Sequence, residues 1–130
     1  MKKPLQRVLI TGSRNWIDDT AINVALAAVW KRLGSPSDAV LVHGDCPTGA
    51  DPIASRIWAS RGFTVEAHPA NWRPNGVYNP AAGLHRNTKM VRLGADYCLA
   101  FIRNGSPGAT HASLQAEKAG IPTLRIRNDG

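Results

Sequence analysis

The sequence predicts an α/β fold: a Rossmann-like three-layer sandwich around a five-stranded, mainly parallel sheet. Short apolar runs alternate along the chain with segments whose apolar residues recur at helical spacing. The apolar runs are nearly uninterrupted, as expected for strands buried on both faces of a parallel sheet. The 130 residues, 43% of them hydrophobic, suffice for one core. We therefore expect a single domain, residues 1–130, with right-handed crossovers between its strands.

Turn residues set the limits of the predicted elements. The first strand, residues 7–11, ends at Gly12, and the segment Asp18-Asp19-Thr20 supplies capping side chains for a helix over 21–33. The other elements follow in order: strand 39–43, helix 51–61, strand 63–67, helix 84–93, strand 96–102, helix 110–119 and strand 122–126. A long loop over 68–84 carries three prolines and three asparagines. Loops of this length in compact domains tend to be functional or mobile.

Composition narrows the classes of function. Net charge is +7, but the cations are dispersed and no basic run extends beyond Lys2-Lys3. This charge weakly favours nucleic acid and more clearly favours a phosphate-bearing ligand. No apolar run approaches the roughly 20 residues of a membrane span. The apolar stretch near the N-terminus stops at Ile10, with no signal-peptide cleavage site after it. We therefore expect a cytoplasmic protein with no membrane partner.

The two cysteines, Cys46 and Cys98, argue against a disulfide scaffold and lack the spacing of a zinc motif. His43 and Cys46 could chelate a metal with His68 or His111, but small thiols packed near strand ends are the more usual arrangement. The sequence therefore predicts no metal site and no cofactor.

Three loops form the candidate ligand site. Ligands of open α/β sheets bind beyond the carboxyl ends of the strands, where the strand order reverses, and this rule selects residues 12–14, 44–51 and 105–110. Each loop is rich in glycine or small residues and precedes a helix N-terminus, where backbone amides can approach an anion. Arg14 adds a forked phosphate donor. Glycine is common in any turn of this kind, but three such loops on one edge favour a site.

The helix predicted over 84–93 contributes Arg86 and Asn87, because they share with Met90 a face that can point to the same edge. The predicted ligand-binding residues are Gly12, Ser13, Arg14, Gly44, Asp45, Gly49, Asp51, Arg86, Asn87, Gly105, Ser106, Gly108 and Thr110.

Some roles stay open at this point. Asp51 either caps the helix that follows, the preferred interpretation, or accepts hydrogen bonds from a ribose or braces its loop. Trp16 is either a stacking platform for a base or a lid on the core. Cys46 and Pro47 are expected to shape their loop. The sequence assigns no role to Trp72.

Six motifs occur in an order that is typical of one family. They are TGSRNW, HGDCPTGAD and HPANW after the first three strands, HRNTKM in the third helix, AFIRNGSPGATH at the fourth strand and AGIPT before the fifth. In this order they resemble the YspA-type branch of the SLOG superfamily, the DUF2493 group, over almost the whole chain. The superfamily also contains the LONELY GUY phosphoribohydrolases and the DNA-processing protein A family.

The resemblance implies a Rossmann-like fold that binds a nucleotide or nucleotide-derived ligand. By analogy with the LONELY GUY enzymes, residues 105–110 would hold the phosphate and Arg86 would be the active-site arginine. Those enzymes cut the N-glycosidic bond of a nucleoside monophosphate with the Glu of a PGGxGTxxE signature, and Ser113 stands in its place here. The candidate substitutes for this acid are Asp45, Asp51 and His111.

Three functions follow, in order of support. The first is a nucleotide-binding or sensing domain, in nucleotide signalling or phage conflict. The second is a nucleoside monophosphate phosphoribohydrolase in which Arg86 is catalytic. The third is a single-stranded nucleic-acid binder, which the net charge and the DNA-processing relatives suggest and the scattered cations and few aromatic residues weaken. Relatives commonly dimerise, so the resemblance also admits a homodimer.

Overall fold

The computed structural model describes residues 5–128, which contain five strands and four helices in alternation. The strands are β1 (Arg7–Gly12), β2 (Val40–His43), β3 (Val65–Ala67), β4 (Tyr97–Ile102) and β5 (Thr123–Arg127). The helices are α1 (Asp19–Arg32), α2 (Ala50–Ser60), α3 (Ala82–Arg92) and α4 (Pro107–Lys118). A single 3₁₀ turn, Pro74–Gly76, lies in the long loop between β3 and α3. The predicted alternation of strands and helices is confirmed.

The strands form one sheet in the order β3-β2-β1-β4-β5, and every strand pair in it is parallel. β1 is central, because its Leu9 pairs with Val42 of β2 on one side and with Cys98 of β4 on the other. The chain first adds β2 and β3 on one side of β1 and then crosses to add β4 and β5 on the other. The strand order therefore reverses beside β1, and the predicted Rossmann-like class is confirmed.

Alternate side chains of the sheet enter two apolar layers. Val8 and Ile10 pack in one cluster with residues of α1 and α2, whereas Leu9 packs in another with Met90 of α3 and Ala116 of α4. This alternation follows the period of two in a strand, and it explains the uninterrupted apolar runs because helices cover both faces. No helix in the part of the chain that the structure describes is long and apolar enough to cross a membrane.

Several element limits differ from the sequence prediction for local reasons. α4 begins three residues early, because Pro107 occupies a first helical position that needs no amide hydrogen. β3 begins two residues late. Phe63 instead packs on Trp58 of α2, with ring centroids 4.9 Å apart, and its amide donates to the Trp58 carbonyl. The predicted cap of α1 is confirmed, since the Asp18 side chain accepts the Ala21 amide at 3.0 Å.

Both cysteines are free thiols. Cys98 is buried in the core, where burial raises the pKa of its thiol to about 12. Cys46 is half-buried, and burial together with the charge of Asp51 raises the pKa of this thiol as well. Among residues 5–128, no three His, Cys, Asp or Glu side chains form a group that could hold a metal ion.

Candidate functional site

A cavity of about 500 Å³ opens at the carboxyl edge of the sheet, beside the reversal of strand order. β1 and β4 are neighbours, but the chain leaves β1 for α1 on one face and leaves β4 for α4 on the other. The two loops diverge and leave a crevice, which is the usual ligand position in this architecture. α3 supplies a further wall. Predicted site residues that line the cavity are Gly12, Arg14, Gly44, Asp51, Arg86, Asn87, Ser106 and Gly108.

The loops after β1 and β2 touch each other through glycines. A Cβ on Gly12 would lie 2.3 Å from the Cβ of Ala50, and a Cβ on Gly49 would lie 2.2 Å from the carbonyl oxygen of Ser13. Gly49 also has a φ of +89° and a ψ of −143°, a backbone conformation open only to glycine. The Ala50 amide donates to the Ser13 carbonyl at 3.3 Å. Gly49 therefore positions the two loops and does not itself line the cavity.

Ser13 joins the loops after β1 and β4 beneath the cavity. It is only 1% exposed, and its Oγ accepts the Arg103 amide at 2.7 Å. Its own amide donates to the Phe101 carbonyl at 2.8 Å. The Ser13 hydroxyl is thus hydrogen-bonded to the backbone of Arg103. Arg103 lines the cavity and Ser13 does not, so Ser13 supports the cavity wall without facing the cavity.

Arg86 is held at the cavity wall by the backbone of Gly44. Its Nη1 donates to the Gly44 carbonyl, and its Nε donates to Oδ1 of Asn87 at 3.0 Å. A Cβ on Gly44 would lie 2.5 Å from Nη1, so the absence of a side chain at 44 makes room for the guanidinium. Asn87 donates to the Gly108 carbonyl at 3.4 Å, which ties α3 to the first turn of α4. Within residues 5–128 the Nη2 atom of Arg86 has no hydrogen-bond partner.

Asp51 braces the loop after β2 from within the cavity wall. It is 4% exposed, and its Oδ2 accepts the amides of Gly44 at 3.2 Å and of Cys46 at 3.3 Å. The preferred interpretation of Asp51 as a helix cap was wrong, because Gly49 occupies the N-cap position of α2 and Asp51 is the second helical residue. Burial raises the pKa of Asp51, although the Cys46 amide and the charge of Arg86 favour its ionised form. Oδ1 is buried without a hydrogen-bond partner in the described part of the chain.

His43 ends β2 next to this carboxylate. Burial lowers the pKa of His43, against the charges of Asp51 and Asp45. Its Nδ1 accepts the Asp45 amide at 2.9 Å. An Nδ1 that accepts a hydrogen bond belongs to a ring protonated on Nε2 alone, so His43 is a neutral side chain that shapes the loop. Asp45 itself has a φ of +55° and is exposed outside the cavity.

The two tryptophans of the carboxyl edge have different positions. Trp16 is 2% exposed, meets the ring of Phe101 edge-on at 5.4 Å and donates to the Asp18 carbonyl at 3.0 Å. It is therefore a lid on the core, and the stacking-platform alternative for Trp16 was wrong. Trp72, to which the sequence assigned no role, lines the cavity from the long loop, with the guanidinium carbon of Arg14 5.5 Å from its ring centroid.

Comparison with known proteins identifies the family. The model of the YspA, cpYpsA-related SLOG family matches residues 6–74, more than half of the chain. The chain belongs to this SLOG family. A relative in Mycobacterium phage D29, named "Gene 61 protein", is 48% identical over 127 residues, which cover 94% of this chain and 97% of the relative. Membership in the SLOG family indicates a nucleotide-related ligand in broad terms, and the name of the phage relative states no function.

In this SLOG protein, Ser113, which the motif resemblance aligns with the LONELY GUY glutamate, lies outside the cavity lining. Ser113 is fully buried in α4, and its Oγ accepts from Nε of Arg125 in β5 at 3.2 Å. The other candidate acid and base residues differ from one another in whether they line the cavity. Asp45 and His111 do not line the cavity, and Asp51 is its one carboxylate among the described residues.

The loop after β4 and the first turn of α4 form the opposite wall. Ser106 and Gly108 line the cavity, whereas Thr110 lies inside the helix and donates its hydroxyl to the Ser106 carbonyl at 2.7 Å. Gly105 turns the chain with a φ of +68°. The predicted site residues outside the cavity lining are Ser13, Asp45, Gly49, Gly105 and Thr110.

Sequence reasoning missed two polar residues of this wall, Arg103 and Asn104, which line the cavity. Arg103 donates from Nη1 to the Asn15 carbonyl at 2.9 Å, so it also links the loops after β4 and β1. The signal was present, because both residues follow Ile102 at the carboxyl end of β4, where side chains meet a ligand. The predicted loop began two residues too late.

Proposed function

We propose that this protein binds a nucleotide or nucleotide-derived ligand in the carboxyl-edge cavity and acts as a sensor or ligand-binding protein. The observation that carries the proposal is the arrangement of charge in the cavity. Arg14, Arg86 and Arg103 line it together with one buried carboxylate, Asp51, which has an unpartnered oxygen. Guanidinium groups suit a phosphate, and a carboxylate oxygen suits the hydroxyls of a ribose. A nucleotide carries both groups on one molecule.

The first turn of α4 is the phosphate end of the proposed site. The first amides of a helix have no partner within the helix, and its N-terminus carries partial positive charge. Gly108 and Ala109 of this turn line the cavity, and a Cβ on Gly108 would meet no atom within 4 Å. The glycine therefore leaves space for an anion. Arg103 and the unpartnered Nη2 of Arg86 add charge-assisted donors.

Asp51 is the ribose end of the proposed site. A buried acceptor without a hydrogen bond destabilises a fold by about 1–3 kcal/mol. Oδ1 of Asp51 is such an acceptor, while Oδ2 is already engaged by the amides of Gly44 and Cys46. A ligand hydroxyl that donates to Oδ1 removes this cost. A hydrogen bond from a ligand hydroxyl to Oδ1 therefore contributes more to the free energy of binding than one to an oxygen that already has partners.

One observation favours a second candidate function, cleavage of the N-glycosidic bond of a nucleoside monophosphate. Burial raises the pKa of Asp51, and a raised pKa suits a carboxylate that accepts a proton during a reaction. In that reaction water adds to C1′ of the ribose and the C1′–N bond breaks. The electron pair of that bond leaves with the base, which takes up a proton. Asp51 would activate the water or stabilise the positive charge on the sugar, and Arg86 would hold the phosphate.

The test is a panel of ligands followed by liquid chromatography with mass spectrometry. The purified protein is mixed with AMP, GMP, CMP, cytokinin monophosphates, ADP-ribose, NAD and a short single-stranded DNA, and retained ligand and released base are measured together. Retained, intact nucleotide is the expected result. Released base with ribose 5-phosphate supports the hydrolase instead, and steeply salt-dependent retention of DNA alone supports nucleic-acid binding. If no nucleotide is retained or shifts the melting temperature at millimolar concentration, the proposal is wrong.

A further inference from the structure

Trp72 is a half-buried aromatic side chain of the cavity wall, and three contacts fix its position. Tyr78 stacks with it, with ring centroids 6.3 Å apart and planes 17° apart. The ring edge rests on Gly83 of α3, where a Cβ would lie 3.1 Å from Cη2. The Asn79 amide donates to the Trp72 carbonyl at 2.7 Å, which closes the long loop on itself. The indole is therefore a preformed surface rather than a freely moving side chain.

Arg14 covers one face of this indole. Its guanidinium carbon lies 5.5 Å from the ring centroid, and within residues 5–128 the guanidinium makes no hydrogen bond and no ion pair. Arg14 is also exposed. A cation–π contact at an exposed site is weak, and an unpaired guanidinium on a flexible stem moves at little cost. The face of Trp72 under Arg14 is therefore readily uncovered.

We propose that Trp72 is the platform for the nucleobase of the ligand, and that the base occupies the place over the ring that Arg14 occupies now. This inference rests on the proposed function. An aromatic face that attracts a planar guanidinium also stacks with a planar base, and every base offers such a face. Once displaced, Arg14 is free to donate to the phosphate of the same ligand. The ligand is then a base-bearing nucleotide rather than a sugar phosphate.

The position of Trp72 along α3 sets the orientation of the ligand. Trp72 meets α3 at Gly83, whereas the first turn of α4 meets α3 at Asn87 through the carbonyl of Gly108. Four residues separate these contacts, which is about 6 Å along the helix axis. That interval suits a ribose between a base on Trp72 and a phosphate at α4. Leu84, which follows Gly83 in α3, adds an apolar residue to the cavity lining.

Tryptophan fluorescence and titration calorimetry test the platform. The probes are AMP, GMP, CMP and ribose 5-phosphate, which lacks the base, and the variants are Trp72→Leu and Trp72→Phe. Trp30→Phe is the matched control, because Trp30 of α1 stacks with Phe63 and does not line the cavity. Circular dichroism and the melting temperature of each variant show that it is folded. Trp72→Phe keeps an aromatic face but removes the indole, so if Trp72→Leu does not fold, the loss of ligand-induced quenching in folded Trp72→Phe tests the platform.

We expect the tightest-binding nucleoside monophosphate to quench the fluorescence of the wild type and of Trp30→Phe. Trp72→Leu should weaken its binding roughly 5- to 150-fold without weakening that of ribose 5-phosphate, and Trp72→Phe should keep most of the affinity. If Trp72→Leu binds the nucleotide as tightly as the wild type does, the platform is overturned and the proposed function stands. If Trp72→Leu weakens the binding of the nucleotide and of ribose 5-phosphate equally, the platform is likewise overturned and the proposed function stands. A wild type that binds none of the probes overturns the proposed function itself.

Discussion

Arg86 and Gly44 lie 42 residues apart in the chain and meet at the cavity wall, where the guanidinium donates to the Gly44 carbonyl and occupies the space of the missing side chain. The Gly44 amide donates at the same time to Asp51. One glycine thus connects the cation that we assign to the phosphate with the carboxylate that we assign to the ribose. The relative positions of these two charges depend on this contact.

Gly44→Ala should displace Arg86 and weaken nucleotide binding as much as Arg86→Ala does, while the melting temperature changes little. The new Cβ would lie 2.5 Å from Nη1 and 2.6 Å from Cζ, and the end of a flexible side chain can move away from it. Titration calorimetry on both single variants and the double variant measures the effect. In the Arg86→Ala background, Gly44→Ala should have no further effect on affinity. Additive losses would show that Gly44 acts on binding by another route.

Asp51→Asn should weaken binding of a ribonucleotide by roughly 10- to 150-fold, because a hydrogen bond to a charged acceptor contributes about 1.5–3 kcal/mol. The Asn oxygen can still accept from Gly44 and Cys46, so the loop should keep its shape. Calorimetry with AMP and with its 2′,3′-dideoxy analogue measures the effect. The wild type should prefer AMP, and the variant should lose that preference. Asp38→Asn is the matched control, since Asp38 bonds Thr64 away from the cavity.

The fold was predictable because strands that are buried on both faces have a recognisable apolar sequence pattern. Helices cover both faces of β1 and β4. Successive side chains of these strands are therefore apolar, instead of alternating between apolar and polar. Glycine and proline then mark where each run turns into a helix. The start of α4 was not predictable from these rules alone, because Gly108 counts against a helix while Pro107 favours a helix start. The local signals conflict there, and packing decides between them.

The sequence predicted only those parts of the candidate site whose position follows from the direction of the strands. The carboxyl ends of parallel strands meet on one edge, which is why Arg14, Gly44 and Asp51 all line the cavity there. The pairing of Arg14 with Trp72 joins loops far apart in sequence, and no local pattern encodes such a contact. The sequence therefore offered only Trp16, in the loop after β1, as a possible stacking platform, with a lid on the core as the alternative.

Stability at acidic pH should depend on Glu66. Side-chain hydrogen bonds from Arg7, at 2.6 Å, and from His68, at 2.7 Å, lower the pKa of Glu66 from 4.5 to about 2. A carboxyl whose folded pKa is depressed adds stability above its unfolded pKa, and loses that contribution as pH falls through the folded value. The melting-temperature difference between wild type and Glu66→Gln should thus shrink as the pH falls from 4.5 toward 2, because Glu66 becomes protonated. The side chain is 37% exposed, so solvent screens the interaction and added salt should reduce the difference. A difference independent of pH over this range would contradict the assignment.

Gly49→Ala should destabilise the fold far more than Gly62→Ala, although both glycines have positive φ, +89° and +82°. A Cβ at Gly62 meets no atom within 4 Å, so that variant should lose about 1–2 kcal/mol from backbone strain alone. A Cβ at Gly49 would lie 2.2 Å from the Ser13 carbonyl, which belongs to backbone and cannot turn away. Overpacking of this kind adds roughly 1–3 kcal/mol. Urea unfolding of the two variants measures the free energies of unfolding. Equal losses would mean that the loops after β1 and β2 separate easily, and the cavity that they line would then lack the rigid wall that a preformed site requires.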